Sequence, residues 1–196
     1  ERDRLIYQDE TGLRDLPLPN LLGKHQIENA GAALAALRHL DLGDAACEAA
    51  VTNAYWPARM QRLTDGPLSR VAPNAELWLD GGHNPAAGHA IADLLSGLPP
   101  RPTYLICGML NTKDIAGYLR PMAAQAETLI AVSIPGEANT LDAKDTAEVA
   151  TRVGMTAKTA MSVKDALTQI AQQDPEARVV ICGSLYLAGS VLRENG

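Results

Sequence analysis

The apolar run Leu77-Trp78-Leu79 leads into Asp80-Gly81-Gly82-His83-Asn84-Pro85, a junction with the residue types needed to receive an anionic ligand. An acid closing a buried strand sits at the carboxyl edge of the sheet, where open α/β folds bind ligands. Paired glycines let backbone approach a ligand closely. A helix with Asn84 as N-cap and Pro85 at its first position would then present free N–H groups to an anion. Asp80 is placed to accept hydrogen bonds from a ribose or to orient a cation, and His83 to donate to a phosphate or carboxylate oxygen. The same residues also suit a tight strand-to-helix turn with a solvated acid and a surface histidine.

Four other segments could share such a crevice. In Trp56-Pro57-Ala58-Arg59-Met60-Gln61-Arg62, an arginine follows a proline-fixed hinge, and its planar fork suits the oxygens of a triphosphate across an interdomain cleft. An interdomain salt bridge explains Arg59 equally well. Arg59 and Arg62 are three apart, so on one strand they would point to opposite faces and at most one meets a given ligand. In Gly23-Lys24-His25-Gln26-Ile27-Glu28-Asn29, the Asn29 amide could read a base edge, although polar residues opening a helix commonly cap it. Cys107-Gly108 through Asp114 and Cys182-Gly183 through Gly189 are further strand–glycine–helix junctions able to line the rim.

The sequence contains no GxxxxGK[ST] loop, no GxGxxG and no GxSxG elbow, and no Cys/His spacing suited to a metal. No metal ligands are therefore assigned to this chain. The residues alone support an α/β domain with an anion-accepting crevice.

The elements that must position these residues fall into two textures. Residues 1–24 are short apolar pieces broken by Gly12, Pro17, Pro19 and Gly23, which reads as strands and turns. Helices are expected over 27–37 and from Ala45 to about Tyr55, the second capped by Asp44 and ended by Pro57. From residue 59 the pattern alternates. Strands are expected at Arg59–Leu63, Glu76–Leu79, Thr103–Cys107, Thr128–Ser133, Ala157–Thr159 and Val179–Cys182. Helices are expected near 86–97, 114–124, 142–153, 163–173 and 186–194. Such alternation implies a Rossmann-like open sheet, mostly parallel. The short link through Asp65-Gly66-Pro67 implies a hairpin and one antiparallel edge strand. Residues 1–56 bury too little to stand alone and read as the end of another domain, with 57–196 as the α/β domain.

Composition narrows the partners. With 46% hydrophobic and 20% charged residues the chain is a globular one, and its net charge of -6 argues against nucleic acid. No run of about 18 apolar residues would cross a membrane. The charged opening Glu1-Arg2-Asp3-Arg4 is unlike a signal peptide. Cys47, Cys107 and Cys182 are odd in number and far apart, and two lie in apolar runs, which suits structural thiols in a reducing cytoplasm.

Taken together, the five segments resemble the folylpolyglutamate synthase/dihydrofolate synthase family, relatives of the muramyl (Mur) peptide ligases. His25-Gln26, Asn29 and the Ala-rich stretch after it resemble the family's HQxxNAxxAxAA block, which closes its central ATPase domain. Trp56-Pro57-Ala58-Arg59 is similar to its W-P-G-R, and Asp80 to Pro85 to its D-G-A-H-N-P. Gly108-Met109-Leu110, Lys113-Asp114 and the stretch Gly183 to Gly189 are similar to its G-M-L-x-x-K-D and G-S-L-Y-L-x-G blocks. The likeness covers about residues 23 to 192. Ala58 stands where the family has glycine, which would restrict the hinge slightly. Gly82 stands where it has alanine, which would only add freedom.

This resemblance implies the C-terminal part of a ligase that uses ATP and Mg2+ to add L-glutamate to dihydropteroate or folates through an acyl phosphate. Residues 1–56 would be the end of the central ATPase domain. Asn29 would contact the adenine side of ATP, Arg59 the phosphates and Asp80 the nucleotide, with His83 close to the reacting groups. The magnesium ligands and phosphate loop would lie in an N-terminal part that this chain lacks. The expected partners are small molecules alone (ATP, L-glutamate, and folate or dihydropteroate), with no nucleic acid or membrane, for a cytoplasmic monomer. A Mur-type amino-acid ligase and a non-catalytic nucleotide-binding module are the alternatives.

Overall fold

The computed structural model describes residues 3–196, so Glu1 and Arg2 of the charged opening lie outside the described residues. The chain divides into two compact units, Glu1–Pro57 and Ala58–Gly196.

The first unit is a hairpin with two helices. Strands β1 (Arg4–Asp9) and β2 (Gly12–Pro17) pair antiparallel, with Asp9 opposite Gly12 across the turn. Asp9 fixes that turn by accepting from the Thr11 N–H at 2.9 Å, the Thr11 hydroxyl at 2.6 Å and the Arg38 guanidinium at 3.2 Å. The Thr11 bonds, helped by Arg38, hold the Asp9 carboxyl at a pKa of about 2. Helices α1 (Lys24–His39) and α2 (Asp44–Thr52) complete a small core of Leu5, Leu16, Ala30, Leu34, Cys47 and Val51.

Two expectations are corrected here. Gly43, not Asp44, is the N-cap of α2, and Asp44 is its first residue, ion-paired with Arg14 at 2.8 Å. The helix also stops at Thr52, well before Pro57, as Asn53 closes its last turn by donating to the Ala49 carbonyl.

The second unit is a six-stranded sheet in the order β3-β4-β8-β5-β6-β7. Its strands are β3 (Gln61–Leu63), β4 (Glu76–Leu79), β5 (Thr103–Cys107), β6 (Thr128–Ala131), β7 (Ala157–Thr159) and β8 (Arg178–Cys182). All pair in parallel except β3, which runs antiparallel to β4 at one edge. The strands read as continuous apolar runs because both faces are covered. Leu77, Leu79, Tyr104, Ile106, Val179 and Ile181 point to one face, where Leu68 of α3 (Pro67–Val71), Leu167 of α7 (Val163–Gln173) and Leu187 of α8 (Leu185–Asn195) pack. Trp78, Leu105, Cys107, Val180 and Cys182 point to the other. There they meet Ile91 of α4 (Pro85–Gly97), Tyr118 of α5 (Ile115–Leu119) and Ala150 of α6 (Ala143–Arg152).

The α/β, mostly parallel architecture with an antiparallel edge agrees with the sequence reading. Details differ for local reasons. The link between β3 and β4 is not a bare hairpin but carries α3, whose first residue is Pro67. The helix expected over 114–124 breaks after Leu119 into a 3-10 turn, Arg120–Met122, because Pro121 cannot donate to continue the α-helical ladder. Strand β3 starts at Gln61 and not at Arg59, since Ala58 and Met60 take positive φ angles of 56° and 40°, which a strand excludes.

Cys107 and Cys182 are opposed across β5 and β8, and all three cysteines are free and buried. A hydrogen bond to Cys182, together with burial, pushes the Cys107 thiol up, so it behaves as a packed apolar group and not a nucleophile. Among the described residues no helix is long and apolar enough to cross a membrane.

Candidate functional site

The chain path sets the site. Strands β4 to β7 advance across the sheet in one direction, and β8 then returns to insert between β4 and β5. The carboxyl ends of β4, β8 and β5 therefore stand side by side where the strand order reverses, the usual place for a ligand in such sheets. Three of the junctions singled out in the sequence are neighbours as a result. Asp80 N–H donates to the Ile181 carbonyl at 2.9 Å, and Gly108 N–H to the Cys182 carbonyl at 3.2 Å.

At the first junction, Asn84 caps α4 by accepting from the Ala87 N–H at 2.9 Å, and Pro85 follows at the first helical position. Asp80 is only 6% exposed. Its two carboxylate oxygens accept from the backbone N–H groups of Met60 at 2.8 Å and Gly82 at 2.6 Å. Gly82 is closely packed. A Cβ there would lie 2.7 Å from an Asp80 carboxylate oxygen and 2.8 Å from the Ala87 Cβ, so an alanine at this position is accommodated only with a small shift of those two side chains. The half-buried His83 hydrogen-bonds through Nδ1 to the Gly81 carbonyl at 3.0 Å. Because a carbonyl only accepts, Nδ1 carries the proton and Nε2 is the nitrogen left for a ligand.

Arg59 lies at the edge of this junction. Antiparallel pairing of Gln61 with Leu79 carries the residues before Gln61 alongside those after Leu79, and Gly81 N–H donates to the Ala58 carbonyl at 2.8 Å. Ala58 packs into the core on one face of the sheet and Met60 into the core on the other. The exposed Arg59 between them has no ion-pair partner among the described residues. Each left-handed non-glycine residue costs about 1–2 kcal/mol, so glycine would be the easier choice at position 58.

The second unit thus brings together Arg59, Asp80 and His83. Asn29 belongs to the first unit, exposed on α1, where its amide donates to the Gln26 side chain at 3.0 Å. The fourth and fifth segments show turn chemistry. Asp114 caps α5 through the Gly117 N–H at 2.9 Å, and the buried Ser184 caps α8 through the Tyr186 N–H at 3.1 Å. Gln61 is a participant that sequence reasoning missed. Its side-chain oxygen accepts from the Ala58 N–H at 2.9 Å, and only its place next to the strained turn could have drawn notice.

A doubly covered parallel sheet whose reversal point gathers glycine junctions, a capped helix N-terminus and an exposed arginine defines an open α/β domain with an anion-accepting crevice. The family model described as "Dihydrofolate synthetase, C-terminal domain" matches residues 67–194, and the chain belongs to that family. It is 28% identical over 195 residues to a folylpolyglutamate synthase of Lacticaseibacillus casei, covering 96% of this chain and 42% of that protein. Among solved structures, E. coli FolC in complex with DHPP and ADP matches with a TM-score of 0.77 at 26% identity, covering 95% of this chain and 42% of that one. A bifunctional folylpolyglutamate synthase/dihydrofolate synthase with Mn, AMPPNP and L-glutamate bound matches with a TM-score of 0.78 at 27% identity, covering 95% of this chain and 43% of that one. The chain thus spans well under half the length of these relatives.

Proposed function

We propose that this chain is the C-terminal part of an ATP-dependent ligase that joins L-glutamate to dihydropteroate or a folate through an acyl phosphate. The observation that carries the reading is the turn around Arg59, bonded to the Asp80–His83 junction where the strand order reverses. An exposed guanidinium beside a capped helix N-terminus suits phosphate oxygens, and this reaction needs phosphates aligned and neutralised rather than a covalent protein nucleophile. Arg59 would meet the phosphates, Asp80 would form the nucleotide-side wall, and His83 Nε2 would stand near the reacting carboxyl phosphate or glutamate. Asn29 would contact the adenine side.

Residues 1–56 would complete the central ATPase domain. In support, Ile6, Leu13, Leu18, Leu22 and Ile27 are exposed in the first unit, as expected of surface that packs elsewhere. The magnesium ligands are proposed for the rest of the ligase. The ligase would be a cytoplasmic monomer working on small molecules.

The test is glutamate-dependent ADP release from the complete ligase. Arg59→Ala should lower turnover about 10²–10³-fold, the usual effect of removing a charge-stabilising donor, while melting stays unchanged. An unchanged rate refutes the assignment, as does ligation by the 196-residue chain alone.

A further inference from the structure

We propose that Gln61 and Asp80 are positioning residues that hold Arg59 in its working orientation through the backbone of the turn that bears it. This rests on the reading of Arg59 as the phosphate contact and adds what keeps it there.

Arg59 sits between two residues in the left-handed region, Ala58 at φ 56° and Met60 at φ 40°. Neither is glycine, so the turn relaxes to ordinary backbone angles unless its surroundings hold it. The holding groups come from both sides. Gln61 Oε1 accepts from the Ala58 N–H at 2.9 Å, and an Asp80 carboxylate oxygen accepts from the Met60 N–H at 2.8 Å. A third bond runs from Gly81 N–H to the Ala58 carbonyl at 2.8 Å. The peptide N–H before Arg59 and the one after it are thus each pinned by a side chain. The apolar anchors reinforce this, with Ala58 3% and Met60 5% exposed. Arg59 is left projecting from a turn that cannot swing.

The other Asp80 oxygen takes the Gly82 N–H at 2.6 Å, and the His83 ring is fixed on the Gly81 carbonyl at 3.0 Å. One buried carboxylate therefore sets the spacing between the arginine and the histidine. In such a site an error of about 1 Å can cost about 10²-fold in rate. The strained turn keeps the arginine where the phosphates need it.

Two measurements decide the matter. In the 196-residue chain, amide hydrogen exchange should show Ala58, Met60 and Gly82 protected. Gln61→Ala should speed exchange at Ala58 about tenfold or more, and Asp80→Asn should do so at Met60 or Gly82, while the strand amides of β5 and β8 stay protected. Unchanged exchange in both variants overturns the clamp.

In the complete ligase, Gln61→Ala should lower kcat/KM for ATP about 10- to 100-fold. Gln61→Glu, which keeps an acceptor oxygen, should recover most of it. In an Arg59→Ala background, Gln61→Ala should cost no more than about twofold further, because both changes remove one interaction. Losses that multiply would show that Gln61 acts independently of Arg59 and overturn the proposal. If Arg59→Ala itself is silent, the phosphate reading fails, while the exchange result still reports on the clamp.

Discussion

Gly88→Ala should loosen the helix that begins at the candidate site. Gly88 is buried within α4, where it faces the backbone of Tyr118 in α5. A Cβ added there would lie 3.0 Å from the Tyr118 carbonyl carbon and 3.3 Å from its Cα, with the carbonyl oxygen nearer still. Carbon atoms pack best at about 3.5–4.0 Å, so the two helices must part by about 1 Å. A side-chain tip could rotate aside, but these atoms belong to a helix backbone. Alanine in a helix interior is worth about 1 kcal/mol over glycine, and overpacking costs about 1–3 kcal/mol or more, the upper end applying to backbone. The net expectation is a loss of about 2 kcal/mol, or about 4–10 °C in Tm for a unit of this size. Urea and thermal melts of the chain followed by circular dichroism measure it directly. On the proposed function, and because α4 begins at the His83–Pro85 junction, glutamate-dependent ADP release in the complete ligase should fall as well. A variant that melts at or above the parent temperature would refute the close-approach argument. Gly31→Ala supplies the matched control, since Gly31 lies inside α1 with nothing within 4 Å of an added Cβ. That substitution should stabilise its unit by about 0.5–1 kcal/mol.

Two further predictions concern stability. Asn84→Ala removes the side-chain acceptor of the Ala87 N–H and should cost about 1 kcal/mol, read as a lower urea midpoint with unchanged slope; a shift below a few tenths would show the cap to be idle. Burial and a hydrogen bond to Asp174 raise the Tyr104 phenol from 10.0 to about 12. A raised acid stabilises the fold while protonated, so this contribution is full below pH 10 and lost as pH climbs through about 12. Tyr104→Phe should therefore flatten the dependence of stability on pH between those limits, and a profile parallel to the parent's would contradict it.

Much was legible in the sequence because it depends on short-range rules. The apolar runs at Leu77–Leu79, Thr103–Cys107 and Val179–Cys182 had to be covered strands, since no solvated face tolerates such continuity. Asn84-Pro85 fixed the start of α4 because capping and the proline φ are local constraints. Glycine at 81 and 82, the acid at 80 and the arginine at 59 could be named as candidates from type and order alone.

What sequence could not give was the backbone around Arg59. Extending β3 back to Arg59 is natural by pattern, yet Ala58 and Met60 turn left-handed. Nothing in either residue type favours that conformation; bonds from Gln61 and Asp80, the latter 20 residues away, hold it. The close packing around Gly82 is likewise set by the Asp80 and Ala87 side chains that crowd it. Nor does local pattern say that β8, last in the chain, inserts between β4 and β5 and sets three junctions side by side. Strand order depends on how apolar faces are covered by helices distant in sequence, and only the tertiary structure resolves that competition.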